Sequence, residues 1–252
     1  MKEEDISSSL ESAGVFPGDT LMIHGDAIVA AQLVESPKEE RLKVLFDEIM
    51  RYLGPRGTLV VPAFSYSFTR GETFDVLNSP SIVGTFSEQF RLIYPNKRSK
   101  HPIFSVTAIG LYEKEFVNSC VTDCFGEHTC FQLVHKLGGK LMNLGCDLML
   151  TYTHYCEQMF GVSYRYFKNF NGSVIDLGGE YQLTTQYFVG NRDISYSLNL
   201  GRLKKTLLSK EELRIVPFGR VAAYSVSAED YFNTCFELLL KDEMSLIEEG
   251  VK

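Results

Sequence analysis

Lys140-Leu141-Met142-Asn143-Leu144-Gly145-Cys146, followed by Leu150-Thr151-Tyr152-Thr153-His154-Tyr155-Cys156-Glu157-Gln158, is the stretch on which the fold turns. The first run is short and apolar, leaves a turn at Gly138-Gly139, and reads as a buried strand. The second reads as a short helix closed by Gly161. In α/β proteins, sites form beyond the carboxyl ends of strands. On this helix Thr151, His154 and Glu157 are three apart, so they lie along one side of its first turns. A hydroxyl, an imidazole and a carboxylate are thus gathered at a strand exit. Imidazole titrates nearest neutrality and can take or give a proton. A carboxylate beside it can orient the ring and stabilise its cation. The same spacing also fits a capping threonine and a half-buried histidine in an ordinary strand-to-helix connection.

Upstream, Asp5 to Ala13 has the pattern of a short amphipathic helix, and Thr20-Leu21-Met22-Ile23-His24 that of a buried strand. The strand runs into Gly25-Asp26-Ala27-Ile28-Val29-Ala30-Ala31. Small residues there let a ligand approach the backbone, whose N–H groups can bind anions. A plain strand-to-helix connection fits equally, and neither Gly-x-x-x-x-Gly-Lys-[Ser/Thr] nor Gly-x-Gly-x-x-Gly occurs. Ser36-Pro37 is expected to open a helix running to Tyr52. A second strand is expected at Thr58 to Pro62, continuing to Phe68, then a long loop from Thr69 to Pro80 and a helix over Ser81 to Arg91. Lys97, Arg98 and Lys100 put three cations within four residues, which suits phosphate or a solvated loop. A third strand covers Val106 to Gly110, and a helix Phe131 to Leu137. Cys120, Cys124, His128 and Cys130 match no standard zinc spacing, so no metal is expected.

Downstream, Tyr164-Arg165-Tyr166-Phe167-Lys168 interleaves aromatic and basic residues, a mix that suits stacking on rings and pairing with phosphate. An edge strand alternating between core and rim fits it as well. Ser173 to Val189 reads as strands around a Gly178-Gly179 hairpin, followed by strands near Leu213 to Pro217 and Phe218 to Val226. A helix from Ala228 to Lys241 closes this part of the chain. No repeat or linker interrupts the 252 residues, which read as one mixed α/β domain. A formal charge of −7 argues against a general nucleic-acid binder. No apolar run reaches membrane-spanning length, and the charged start Met1-Lys2-Glu3-Glu4-Asp5 lacks a signal-peptide core. Six cysteines without a secretion signal suit reduced thiols, so the expected setting is the cytoplasm, away from membranes.

Several segments together resemble the aminoglycoside 3-N-acetyltransferase-like family of antibiotic N-acetyltransferases. They are Gly18-Asp19-Thr20 with Ile23-His24, Gly57 to Phe64, Arg98-Ser99-Lys100-His101-Pro102 with Ser105-Val106, Phe125-Gly126, and Thr151-x-x-His154-x-x-Glu157, in the family's order. The resemblance implies a single-domain three-layer α/β/α sandwich with a mixed central sheet, acetyl-coenzyme A as donor and a sugar amine as acceptor. It implies that His154 is the catalytic base, with Glu157 nearby; Thr151 or a backbone N–H near the first loop is the expected donor to the developing oxyanion. To coenzyme A it assigns His24, Gly25, Asp26, Ala27, Ile28, Arg98, Ser99, His101 and Ser105. To the acceptor it assigns Phe64, Tyr66, Tyr164, Arg165, Tyr166 and Lys168. Many members carry a Ser-Ser pair after the first-strand histidine, where this chain has Gly25-Asp26; backbone N–H groups of Asp26, Ala27 and Ile28 are the expected substitute. The Tyr164 to Lys168 segment resembles a branch linked to bacterial surface polysaccharide, which implies a nucleotide-linked amino sugar such as GDP-perosamine. An aminoglycoside is the alternative acceptor. A hydrolase is disfavoured by the absence of a Gly-x-Ser-x-Gly elbow, and a non-catalytic binding relative by the presence of both His154 and Glu157. A second copy of the chain is a candidate partner.

Overall fold

The computed structural model describes residues 3–148, 151–191 and 196–249; Leu150 of the opening stretch lies outside them. The first half runs α1 (Glu3–Ser12), β1 (Thr20–Gly25), α2 (Arg41–Leu53), β2 (Thr58–Pro62), β3 (Phe74–Asp75), α3 (Thr85–Ile93), β4 (Val106–Gly110), α4 (Glu113–Val117) and α5 (Cys130–Lys136). Then come β5 (Lys140–Leu144), α6 (Tyr152–Phe160), β6 (Arg165–Asp176), β7 (Gly179–Gly190), β8 (Tyr196–Leu198) and α7 (Gly201–Ser209). The chain continues through β9 (Arg214–Phe218), β10 (Val221–Ser227), α8 (Ala228–Lys241) and β11 (Ile247–Glu249).

Six strands form a mixed sheet in the order β4-β2-β1-β5-β10-β9. β1 is parallel to both β2 and β5, while β4, β10 and β9 join antiparallel. The central strands are predominantly apolar because both faces are covered, with His24 and Asn143 the polar exceptions near the carboxyl ends of β1 and β5. Leu21, Ile23, Leu59, Val61, Met142 and Leu144 point into one core with residues of α1, α2 and α3. Met22, Val60 and Leu141 point into the other, with residues of α5, α6 and α8. The result is the expected α/β/α sandwich with a mixed sheet. A long antiparallel hairpin, β6 with β7, forms a second sheet whose edge is β3. Among the described residues no helix is long and apolar enough to cross a membrane.

Three element boundaries differ from expectation. Ser36-Pro37 opens a turn rather than a helix, Glu40 N–H bonding to the Pro37 carbonyl, and α2 begins at Arg41. β2 stops at Pro62, after which the chain turns and Tyr66 takes a left-handed φ of 53°. α3 begins only at Thr85, because Gly84 before it has φ 106°, outside the helical region, and Ser81 is no cap.

Candidate functional site

β1 and β5 lie side by side with His24 opposite Asn143 and Gly25 opposite Leu144, so both chains leave the sheet at one end. After β5 the chain passes to α6. Gly161, at a left-handed φ of 81°, ends α6 by donating its N–H to the Glu157 carbonyl. α6 is wedged among its neighbours. The Tyr152 hydroxyl sits 2.9 Å from His135 Nδ1 and 3.2 Å from the Ala228 carbonyl, and Thr153 Oγ1 lies 2.7 Å from the Tyr231 hydroxyl. This fixes the face that carries His154 and Glu157.

His154 Nδ1 lies 2.6 Å from Glu157 Oε2. The imidazole is 17% exposed and the carboxylate not at all. Glu157 Oε1 accepts from the Tyr164 hydroxyl at 2.8 Å. Arg165 completes the group: Nε is 2.8 Å from Glu157 Oε2, close enough for an ion pair but not aligned as a hydrogen bond. Its Nη2 is 2.8 Å from His154 Nδ1, and Nη1 donates to the Phe188 carbonyl at 3.1 Å. Oε2 only accepts and the guanidinium only donates, so Nδ1 cannot satisfy both. The shorter contact, to the buried carboxylate, places the proton on Nδ1, makes Arg165 Nη2 a charge contact rather than a hydrogen bond, and leaves Nε2 for chemistry. Phe125 packs edge-on against the imidazole, its ring centroid 5.8 Å away. That ring is held because Asp123 Oδ1 accepts from the Phe125 and Gly126 N–H groups and from Gln158 Nε2 of α6.

Burial lowers the His154 pKa. Hydrogen bonding to Glu157 raises it, the Arg165 charge lowers it further, and the net direction is down. For Glu157, burial raises the pKa, but the bond from His154, the His154 and Arg165 charges and the Tyr164 hydroxyl outweigh it, so the carboxylate is held below its ordinary value. The pair therefore rests as neutral imidazole beside carboxylate.

A cavity of about 430 Å³ opens on His154 and Arg165, with Tyr187, Asn191 and Tyr196 among its walls. Sequence reasoning missed these three: Tyr187 sits in an alternating strand with nothing to mark it, and Asn191 and Tyr196 are brought in only by the end of the hairpin. A second cavity, about 500 Å³, lies at the end of β1 and β5, lined by His24, Gly25, Asp26, Asn143 and Cys146 among others. A third, about 490 Å³, shares Ala27 and Thr85 with it and ends at Lys38 and Arg41. A file of packed rings, His24, Phe64, Phe104, Phe125 and His154, each 5.0 to 6.3 Å from the next between centroids, lies between the second cavity and the first.

Several expected contacts are placed differently. Arg98 is buried, donating to the Ala63, Val76 and Ser79 carbonyls and to Ser105 Oγ. Ser99 Oγ accepts from Val106 N–H, and Ser105 Oγ donates to the Ala63 carbonyl. His101 Nδ1 accepts from the Ile103 and Phe104 N–H groups, with Nε2 on the Asp123 carbonyl. All four side chains are buried and engaged in the scaffold. Of the expected loop donors, Asp26 N–H is engaged by the Leu144 carbonyl and Ile28 N–H by Asp26 Oδ1. Phe64 and Tyr164 are core residues rather than acceptor contacts, and Arg165 faces the His154–Glu157 pair. Tyr66 is half-buried against Phe104, its hydroxyl pushed up to about 12 by burial. Tyr166 and Lys168 are exposed on the hairpin, Lys168 lying over the Phe170 ring. Thr151 precedes α6 without capping it through its side chain. Among the described residues no cluster of His, Cys, Asp or Glu is placed to hold a metal ion.

Comparison with known proteins follows the same lines. A family model described as aminoglycoside 3-N-acetyltransferase matches residues 28–239. Aminoglycoside N(3)-acetyltransferase IV of Salmonella sp is 29% identical over 167 residues, 65% of this chain and 61% of that protein, so the match spans less than two thirds of the relative. Crystalline apoenzyme AAC(3)-IVa superposes with a TM-score of 0.76 at 24% identity, covering 97% of this chain and 90% of that one. AAC-IIIb, solved as a binary complex with CoASH, gives 0.79 at 19% identity over 96% and 97%. A histidine-to-alanine mutant of AAC(3)-IVa in complex with a gentamicin gives 0.75 at 23% identity, covering 97% and 90%.

Proposed function

The chain belongs to the aminoglycoside 3-N-acetyltransferase family, and from that premise we propose that it moves the acetyl group of acetyl-coenzyme A to an amine of an amino sugar, with His154 as general base. The observation that carries this reading is the 2.6 Å contact of His154 Nδ1 with buried Glu157, which leaves Nε2 as the ring nitrogen for the cavity. As the amine nitrogen forms its bond to the thioester carbonyl carbon, Nε2 takes the proton the nitrogen sheds. Glu157 holds the tautomer and stabilises the imidazolium. The carbon–sulfur bond then breaks, and the leaving thiolate recovers a proton. Thr151, whose side chain is not used in capping, or a backbone N–H near the first loop would stabilise the developing oxyanion. Transfer is direct: Cys156 is fully buried in the core, and burial raises the thiol pKa of Cys156 and also of Cys146, which lines the cavity at β1, so neither is a ready thiolate nucleophile.

The joined cavities beside β1 suit an extended donor with an anionic end. Gly25, Ala27, Ala30 and Ala31 give a floor of small residues; Lys38 and Arg41 supply positive charge in one cavity, beside Glu39, and the other carries Asp26 and Asp147. An aminoglycoside-type acceptor is favoured by the curated relative and by the gentamicin complex. A nucleotide-linked amino sugar such as GDP-perosamine is retained as a second reading on one observation. The described lining of the His154 cavity contains no carboxylate, whereas a polycation calls for acidic walls. Thiol release from acetyl-coenzyme A, measured with gentamicin-type aminoglycosides and with GDP-linked and dTDP-linked 4-amino sugars, separates the two. Turnover with the aminoglycosides alone is the expected result; turnover confined to a nucleotide sugar replaces it with the second reading; no thiol release with any amine overturns the acetyl-transfer reading itself.

A further inference from the structure

A histidine paired with a carboxylate has a difficulty as a base. The carboxylate favours imidazolium, and a ring that keeps its proton near neutrality takes none from an amine. In this chain a third group sits on the same pair. Arg165, at the first position of β6 opposite Gly190, places Nε 2.8 Å from Glu157 Oε2 and Nη2 2.8 Å from His154 Nδ1. The guanidinium is 7% exposed and is tethered through Nη1 to the Phe188 carbonyl on the partner strand. It is fixed by the hairpin rather than free to follow a ligand.

Among the described residues, the other titratable groups near the ring add no charge near neutrality. Tyr187 of β7 and Tyr196 of β8 share its cavity, and burial raises the pKa of both phenols; Tyr164, next to β6, reaches it only through Glu157 and is raised likewise. Phe125, from the loop before α5, is uncharged. Among the described residues the charges on His154 are therefore Glu157 from α6 and Arg165 from β6.

We propose that Arg165 is a positioning residue of the transfer reaction, set behind the His154–Glu157 pair to offset the carboxylate's charge, and not a contact to the acceptor. It rests on the reading of His154 as base. The guanidinium lets Glu157 stay ionised as the orienting acceptor for Nδ1–H without making the imidazole a permanent cation. The hairpin thus supplies the charge that makes a buried His–Glu pair basic at the right moment, and α6 supplies the pair.

The test is an NMR titration of the His154 ring, assigned by its loss in His154→Ala, in the wild type, Arg165→Gln and Arg165→Lys, with kcat/KM followed against pH in parallel. The wild-type ring is expected to titrate below about 6.5, the unperturbed value. Arg165→Gln is expected to raise that midpoint by about one to three pH units, the range a neighbouring charge exerts, and Arg165→Lys to leave it near wild type. The acid limb of kcat/KM should move with it, with the rate recovering at high pH. A wild-type midpoint above about 7, or one that Arg165→Gln leaves unmoved, overturns the proposal, as does a variant whose only change is a raised KM for the acceptor at every pH. A moved midpoint with an unmoved rate profile would remove His154 as the base, and with it the role of Arg165 in transfer, while leaving the effect of Arg165 on the ring standing.

Discussion

Glu157 is a fully buried carboxylate that stays ionised because two donors, His154 and Tyr164, and the charge of Arg165 converge on it. Taking a charge out of water is costly unless every lone pair finds a partner, and loss of one partner exposes that cost. Tyr164→Phe removes one charge-assisted hydrogen bond and should destabilise the protein by about 1.5–3 kcal/mol. In a chain this long that is a fall in Tm of roughly 2–4 °C per kcal/mol, read by calorimetry. An unchanged Tm would mean that the hydroxyl bond contributes nothing. Glu157→Gln, by contrast, should lose activity, since the amide cannot stabilise imidazolium. The lowered His154 pKa also fixes a sign. The base is competent while neutral, so kcat/KM should hold down to a pH below about 6.5 before falling. A fall beginning above about pH 7 would contradict the geometry.

At the scale of elements, the two cores and the packing of α6 explain which sequence signals were readable. Central strands with apolar residues on both faces announce themselves, and β1, β2, β4 and β5 lie where those runs are. His154 and Glu157 meet on α6 as their spacing predicts, because helical periodicity and the Gly161 stop are local properties, whereas Thr151 precedes the helix. What failed to read was tertiary. Arg98, Ser99, His101 and Ser105 form a polar cluster typical of a ligand site, but in the fold they tie the segments around Ala63, Val76 and Asp123 together. Arg165 read as a phosphate partner because nothing in its own segment shows that Glu157 lies beneath it. Tyr187, Asn191 and Tyr196 reach His154 only through the pairing of β6 with β7 and the course of the chain after it. Two variants test these assignments. Arg98→Met should cost about 3–5 kcal/mol by leaving buried acceptors unpaired, with no change in KM for acetyl-coenzyme A in the protein that remains folded. A raised KM without loss of stability would return Arg98 to the donor site. Gly25→Ala would bring a Cβ to 2.8 Å from the Phe86 ring, displacing α3 against the donor cavity. The expected cost is about 1–3 kcal/mol of overpacking, with weaker donor binding by calorimetric titration.

Across the whole molecule, three histidines are held neutral by the fold. Burial lowers His24 and His101 to about 4, and His154 is lowered in the same direction. His101 shows the cause: Nδ1 accepts two backbone N–H groups and could carry a proton only by losing both. A folded-state pKa below the unfolded value of about 6.5 means the unfolded chain binds protons more readily. Stability is therefore fully present above about pH 6.5 and is lost as pH falls toward about 4. Tm measured from about pH 7.5 to about pH 4 should decline through that window and not above it; a flat profile would show that the three rings are not held as described.

The central claim is that His154 removes the proton that makes the acceptor a nucleophile, and its most direct measurement is the rate of thiol release from acetyl-coenzyme A by the wild type and by a folded His154→Ala variant. A loss of about 10²–10⁴ in kcat/KM, the span of general-base catalysis, is the predicted result. A variant that turns over acceptor at the wild-type rate would contradict it.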